Sequence, residues 1–192
     1  MTTSMIVFWL LLANTTGSLT EMVGMESTLD SNTAFYEGKD KNYVLSPPIG
    51  FTMVTEKAQT IGYSFAFLPE GQSLDSAYAM IGATIYDLTL LKENVTFNSI
   101  LTEDTARLRE YYGNDLQIWP VDSMTNFRGD IIPTYYFNDP HRFIPTVMVS
   151  YYDGDNEMLI LELNISDRIP RFEAEKIFEA FLQQFKVLKT PK

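Results

Sequence analysis

The sequence contains no cysteine, although it is 192 residues long. This absence excludes disulfide bonds, thiol nucleophiles, zinc sites built from thiolates and the lipid-bearing cysteine of a lipoprotein. A glycine-rich phosphate loop, a Gly-x-Ser-x-Gly turn and a cluster with metal-ligand spacing are also missing from the sequence. We therefore expect no cofactor and no bound metal.

Positive charge is scarce, because 14 lysine and arginine residues stand against 25 aspartate and glutamate residues, a net charge of −11. Phosphate backbones repel so acidic a chain, and we expect no nucleic-acid partner. The imbalance favours solubility or a protein partner of positive charge. With 45% hydrophobic residues, the chain is long enough to bury the core of one globular domain.

The apolar run at residues 5–13 is too short to cross a bilayer, and small polar residues follow it at 14–18. This pattern predicts a signal peptide over residues 1–18, a mature chain without an integral membrane span, and a periplasmic or secreted protein. The first four residues carry no lysine or arginine, which departs from the ordinary signal-peptide pattern. Two alternatives stay open: the run is a buried helix or strand of the mature fold, or the true start codon lies upstream.

The stretch at residues 144–188 has the clearest pattern in the chain. Two strand-like runs, 144–152 and 157–165, flank an Asp-Gly-Asp-Asn segment that tolerates the positive φ of a tight hairpin. In the first run, Val147, Val149 and Tyr151 share one face. Alternate positions of the second run are uniformly aliphatic and should face the core; they are Leu159, Leu161, Leu163 and Ile165.

A helix is predicted directly after this strand pair, at residues 170–187. Apolar residues recur there at three- and four-residue steps, and Pro170 suits the first turn. Because the helix follows a hairpin, it should lie across a face of the sheet. Its apolar stripe consists of Ala174, Ile177, Phe178, Phe181, Phe185 and Leu188.

The upstream chain adds strands and one further helix to the same domain. Residues 19–41 are polar and predict an irregular lead-in to a single domain at 42–192. A helix is predicted at 96–112, with Thr96 as its cap and Gly113 at the left-handed C-cap position. The order of elements is typical of an α+β fold with a largely antiparallel sheet. Strands are predicted at 51–54, 61–68, 78–90, 116–121 and 131–137, with a polar connection at 55–60.

Several motifs follow one another in a familiar order. Pro-Pro-Ile-Gly-Phe-Thr at 47–52 precedes Phe-Leu-Pro-Glu-Gly-Gln-Ser at 67–73 and a strand ending in Ile85-Tyr86, and a phenylalanine series at 172–187 follows the final strand pair. This arrangement resembles the PsbP-like group of α/β/α sandwiches, including its small exported bacterial proteins of unknown function. The resemblance implies a central antiparallel sheet with helices on both faces, and binding or assembly rather than catalysis. It transfers no functional residue.

The one histidine, His141, stands between Asp139 and Arg142 in a short polar segment. These three side chains are the candidates for a hydrolase site, with the imidazole as base or metal ligand. A lone histidine in a loop is more often a solvated or hydrogen-bonded residue without a role in catalysis.

The Asp-x-Asp-x-Glu segment at 153–157 resembles the start of a calcium loop. A calcium loop needs a longer series of oxygen ligands, whereas here the strand pattern resumes at Met158. We interpret the segment as a hairpin turn.

Aromatic residues make up 14% of the chain. Tyrosine and tryptophan are favoured at interfaces, although paired aromatics also pack on sheet faces. The candidate binding residues are Trp119, Tyr135, His141 and Arg142. The sequence thus predicts an exported, non-enzymatic protein that binds a protein or other ligand through an acidic, aromatic-containing surface. The alternatives are a hydrolase with its site near Asp139, His141 and Arg142, and an acidic immunity or adaptor protein.

Overall fold

The computed structural model describes residues 32–90, 95–121 and 124–189. The predicted signal peptide and the first part of the predicted lead-in lie outside these ranges. Within them, no helix is long and apolar enough to cross a bilayer. The strands are β1 (Ala34–Glu37), β2 (Lys41–Leu45), β3 (Phe51–Met53), β4 (Phe65–Pro69), β5 (Ala79–Asp87), β6 (Gln117–Val121), β7 (Thr134–Asn138), β8 (Thr146–Asp153), β9 (Glu157–Ile165) and β10 (Lys186–Lys189), and the α-helices are α1 (Thr55–Thr60), α2 (Phe97–Tyr112) and α3 (Arg171–Leu182).

The strands form two sheets in which every neighbouring pair is antiparallel. The small sheet has the order β1-β2-β10, and the large sheet has the order β3-β4-β5-β9-β8-β7-β6. The predicted hairpin of β8 and β9 therefore lies at the middle of the large sheet. The predicted mixture of helices with antiparallel strands is confirmed, and the strands divide between two sheets rather than one.

Alternate residues of β9 pack against α3. Leu159, Leu161 and Leu163 are fully buried there, as their alternation predicts. Phe181 of α3 belongs to the same cluster, and its ring centroid lies 5.4 Å from that of Phe67 in β4. Burying one such phenylalanine contributes about 1.5–3 kcal/mol to folding.

The intervening residues of β9 belong to a second cluster, which includes α2. Met158 and Ile160 are buried together with Ile100, Leu108 and Tyr112 of the helix. β9 therefore has buried residues at both alternating sets of positions.

The ends of α2 agree with the predicted capping residues. The Thr96 hydroxyl accepts the Ser99 N–H at 3.2 Å, and Ser99 Oγ accepts the Thr96 N–H at 2.9 Å, which forms a reciprocal capping box. Gly113 follows the helix with a φ of 95°, a conformation that favours glycine. Local sequence signals thus define both ends of this helix.

Local structure differs from the prediction in three places. β1 lies within the predicted irregular lead-in, where it pairs with β2. Residues 55–60, predicted as a polar connection, form α1, which buries Ala58. The C-terminal helix ends at Leu182, because Lys186–Lys189 pair with β2 and bury Val187. In each case a contact with a distant segment decides the structure, as often happens when local preference is weak.

A β-bulge in β8 changes the facing of one predicted residue. The register between β8 and β9 shifts between Thr146 and Met148. Val147 consequently packs in the cluster with α3, whereas Val149 and Tyr151 pack in the cluster with α2.

Both outer strands of the large sheet carry a feature that discourages pairing with another chain. Beside β3, the Asn32 amide Nδ2 donates to the Phe51 carbonyl at 2.9 Å, and its Oδ1 accepts the Met53 N–H at 2.8 Å. β6 contains Pro120, which has no N–H to offer a further strand. Such features protect open sheet edges against edge-to-edge association.

Candidate functional site

Trp119 is an exposed aromatic residue held in a fixed orientation on the outer strand β6. Its side chain is 46% exposed, and its ring stacks on that of Tyr136 with the centroids 5.6 Å apart and an interplanar angle of 6°. The two residues are direct partners in the register of β6 and β7, so the sheet itself places one ring on the other. One face of the indole is covered by Tyr136, and almost half of the side chain stays exposed to solvent.

Arg171 supports the stack from the first turn of α3. Its guanidinium lies 6.0 Å from the centroid of the Tyr136 ring, a cation–π contact. Its Nη1 donates to the Tyr136 hydroxyl at 3.2 Å and to the Phe137 carbonyl at 3.4 Å, and it also donates to Asn138 Oδ1. Helix α3 and strand β7 are thus joined through one planar group, which holds the ring on which Trp119 stacks. Trp119, Tyr136 and Arg171 are called the Trp119 surface below.

An apolar groove borders the C-terminal end of the same outer strand, and Trp119 is not among its lining residues. The groove has a volume of about 190 Å³ and is lined by Pro120, Ile131, Pro133 and Tyr135, among others. Ile131, one of these lining residues, is 68% exposed. The apolar surface at this edge is therefore wider than the indole alone.

Tyr135, the second predicted binding residue, does not join Trp119. It neighbours Tyr136 along β7, so its side chain projects from the opposite side of the strand. Its ring packs edge-on against Tyr151, with the centroids 5.9 Å apart, in the cluster with α2. The structure therefore separates the two aromatic candidates, although Tyr135 borders the groove.

His141 and Arg142, the other two candidates, lie in the loop between β7 and β8. Asp139 organises this loop: its Oδ1 accepts the His141 backbone N–H at 2.8 Å, and its Oδ2 accepts Arg142 Nε–H at 2.6 Å. These donors, the His141 N–H first, hold the pKa of Asp139 below its ordinary value. The Arg142 guanidinium also lies 5.2 Å from the centroid of the Tyr112 ring. The Asp139 carboxylate is thus occupied in shaping the loop, and it bonds the backbone of His141 rather than its imidazole.

The segment predicted as a hairpin turn joins β8 to β9. The Gly154 N–H donates to the Glu157 carbonyl at 2.7 Å, and Asp155 has a φ of 72°. Asp153 Oδ1 accepts the Asp155 N–H at 3.0 Å, and the Asp155 carboxylate pairs with Lys41 at 2.7 Å. These carboxylates therefore serve turn geometry and an ion pair with the small sheet.

The sequence gives little sign of two buried acids, Glu162 in β9 and Asp104 in α2. Glu162 is 1% exposed, and Asp104 is 2% exposed. Glu162 Oε2 accepts the Tyr63 hydroxyl at 2.8 Å, and Asp104 Oδ2 accepts the Tyr151 hydroxyl at 3.0 Å. Burial raises the pKa of Glu162 to about 8 and that of Asp104 to about 6. A usable signal is that each acid shares its side of the strand or helix with apolar residues. Glu162 follows Ile160 at a two-residue step, and Asp104 lies between Ile100 and Leu108 at four-residue steps.

No protein-family model and no curated protein matches this chain. Among solved structures, the chain is similar to the solution structure of cyanobacterial PsbP (CyanoP) from Synechocystis sp. PCC 6803. The TM-score is 0.46 at 12% sequence identity, and the match covers 86% of this chain and 98% of that chain. The match agrees with the PsbP-like resemblance predicted from the order of motifs. A likeness at this level of identity concerns the fold alone.

Proposed function

We propose that this chain is an exported, non-enzymatic binding protein that docks onto a protein partner through the Trp119 surface. The observation that carries the proposal is the exposed indole, stacked on Tyr136 and supported through Arg171. Tryptophan is enriched among the residues that contribute most to protein–protein binding, because a large ring can be buried at a small cost in side-chain entropy. A ring that is already fixed loses still less freedom on binding.

The partner binds side chains rather than adding a strand to the sheet. Pro120 removes one backbone donor beside Trp119, so an incoming strand would pair poorly with β6. The exposed indole offers a pocket-filling contact instead. The net charge of −11 favours a partner of positive net charge, since long-range attraction would speed association.

Export is the second part of the proposal. It is supported by the apolar run at residues 5–13 and the small polar residues that follow it. The test is to express the whole chain in bacteria, fractionate the cells and measure the intact mass of the product. Loss of about the first 18 residues, with product in the periplasm or the medium, supports export. An uncleaved product confined to the cytoplasm contradicts it.

We also infer that the large sheet is covered by helices on both faces, as in an α/β/α sandwich. The support is the alternation within β9, where Leu159 and Leu161 pack with α3 and Met158 and Ile160 pack with α2. In this arrangement the Trp119 surface lies at the outer end of the layer that contains α3, because Arg171 begins that helix.

Site-specific cross-linking in the organism of origin tests the docking surface. A photo-reactive phenylalanine analogue is placed at position 119 in one variant and at position 111 in another. Tyr111 is the matched control, since it is an aromatic residue of α2 that is 56% exposed. We expect a discrete protein adduct from position 119 and none from position 111. The same adduct from both positions, or no adduct from position 119, would overturn the proposal.

A further inference from the structure

Glu162 is a buried carboxyl group with almost no hydrogen-bond support. Tyr63 donates to its Oε2 at 2.8 Å, whereas its Oε1 has no hydrogen-bond partner among the described residues. Tyr63 in turn accepts a hydrogen bond from Asn164 Nδ2 at 3.2 Å, and Asn164 Oδ1 accepts one from the Thr146 hydroxyl at 2.6 Å. These hydrogen bonds form a series that ends at Glu162 Oε2 and leaves Oε1 without a donor. A buried carboxylate that keeps its charge normally has a cation or several donors.

Asp104 brings a second acid to the same interface from the helix side. It is 2% exposed and lies one turn after Ile100 and one turn before Leu108, on the buried side of α2. The Tyr151 hydroxyl of β8 donates to its Oδ2 at 3.0 Å. Helix and sheet therefore each contribute one acid to the contact between them, and their charges repel when both are ionised.

The groups that surround the two acids do not neutralise them. Four tyrosines lie near enough to Glu162 for its charge to raise their pKa. Arg107 and Glu103 act on Asp104 along α2. Arg107 is itself paired with Glu103. No ion pair in the described ranges includes Glu162 or Asp104. The tyrosines are Tyr63 before β4, Tyr86 of β5, Tyr112 of α2 and Tyr151 of β8.

We propose that α2 is a proton-dependent element, which packs on the large sheet while Glu162 is protonated and separates from it when Glu162 and Asp104 are both ionised. Separation admits water to the two carboxylates, which removes the cost of keeping like charges in an apolar contact. It also uncovers apolar sheet residues such as Val149 and Tyr151, which α2 otherwise helps to bury. This device is independent of the Trp119 surface, which lies with α3.

The direction of the pH effect follows from the pKa of Glu162. Burial, with a further contribution from the Asp104 charge, raises that pKa to about 8 in the packed state. In the open state the carboxyl titrates near its ordinary value, so packing is strongest at low pH and is lost as pH rises through about 8. Between pH 6 and pH 9, the ratio of open to packed protein should rise on the order of 100-fold.

Hydrogen–deuterium exchange of the whole chain tests the proposal. Protection factors for peptides of α2 and α3 are obtained at each pH relative to the exchange rate of an unstructured chain, which removes the intrinsic pH dependence of exchange. We expect α2 to be less protected than α3, because α2 opens without unfolding of the whole domain. The protection factors of α2 should fall at least about tenfold between pH 6 and pH 9. Constant protection of α2 over this range, or protection equal to that of α3, would overturn the proposal.

Two variants assign the effect to the acids. Glu162→Gln should keep α2 protected at pH 9, and Asp104→Asn should move the midpoint to lower pH because it removes the repelling charge. Glu110→Gln, on the exposed side of α2, is the matched control and should behave like the parent. If Glu162→Gln fails to fold, carbon-detected NMR titration of Glu162 in the parent chain decides the matter. Titration of Glu162 below about pH 5, close to its ordinary value, would overturn the proposal.

Discussion

Gly82 in β5 determines whether Tyr63 can reach the buried acid of the neighbouring strand. A Cβ at Gly82 would lie 2.4 Å from Tyr63 Cε1, and Gly82 is also the register partner of Glu162. The bare backbone therefore leaves room for the phenol ring to lie over the sheet and donate to Glu162. The hydrogen bond from Tyr63 to Glu162 therefore depends on the absence of a side chain at Gly82.

We expect Gly82→Ala to destabilise the protein by about 1–3 kcal/mol, because the added methyl group overpacks against Tyr63. Urea unfolding of the single variant, of Tyr63→Ala and of the double variant measures the coupling. In the Tyr63→Ala background, the Gly82→Ala change should cost little. An equal cost in both backgrounds would show that Tyr63 is not the obstacle.

Stability should fall as pH rises, because the pKa of Glu162 is raised by burial to about 8 in the folded state. The unfolded chain loses this proton near pH 4.5, so the stabilisation is fully present below that pH and is lost progressively up to about pH 8. The loss should amount to roughly 3–5 kcal/mol. Urea unfolding at pH 5 and pH 8 measures it. Glu162→Gln should flatten the dependence, and an unchanged slope in that variant would assign the effect to other groups.

At the scale of elements, the β3 edge depends on one side chain outside the sheet. Asn32 satisfies the Phe51 carbonyl and the Met53 N–H, two groups that would otherwise face solvent or another chain. We expect Asn32→Ala to cost about 1 kcal/mol and to increase aggregation. Unfolding and light scattering measure the two effects. Asn32→Asp is the matched control, since it keeps the acceptor and loses the donor. The stability of Asn32→Asp should lie between that of the parent and that of Asn32→Ala. An Asn32→Ala protein that behaves like the parent would contradict this account.

Helix α3 contributes to folding through one buried stripe rather than through its whole surface. Phe181 is fully buried against Phe67, whereas Phe172 of the same helix is 58% exposed. We expect Phe181→Ala to cost about 3–5 kcal/mol, and Phe172→Ala to change stability by less than about 0.5 kcal/mol. Thermal and urea unfolding of the two variants compare the same chemical change at two positions. Similar losses at both positions would show that α3 is placed wrongly.

At the scale of the whole molecule, the sequence predicts the fold correctly in those segments where a local signal and a long-range contact favour the same structure. Thr96 and Gly113 delimit α2, and alternation in β9 identifies its buried leucines. Prediction failed where a distant segment decides the outcome. β10 continues the apolar spacing of the helix before it, yet it pairs with β2, which lies more than 140 residues earlier.

The candidate site was less predictable than the fold, because it joins residues that are far apart in the chain. Trp119 could be chosen from its residue type. Tyr136 and Arg171 could not be predicted in the same way. Cross-strand register places Tyr136 beside Trp119, and the position of α3 places Arg171 against Tyr136. Trp119 and Tyr135 were both predicted as binding residues, and the alternation of β7 directs Tyr135 away from the side on which Tyr136 stacks with Trp119. The acids Glu162 and Asp104 were missed because sequence periodicity alone does not show which polar positions are buried.

The affinity of the cross-linked partner for variants of this chain tests the central claim most directly. Isothermal titration of the purified partner against the parent chain, Trp119→Ala and Tyr111→Ala separates the Trp119 surface from a general aromatic effect. The account predicts that Trp119→Ala weakens binding by about 30-fold or more, whereas Tyr111→Ala leaves it within about twofold. Unfolding curves should confirm that both variants fold. Parent-like affinity of the Trp119→Ala variant would contradict the account.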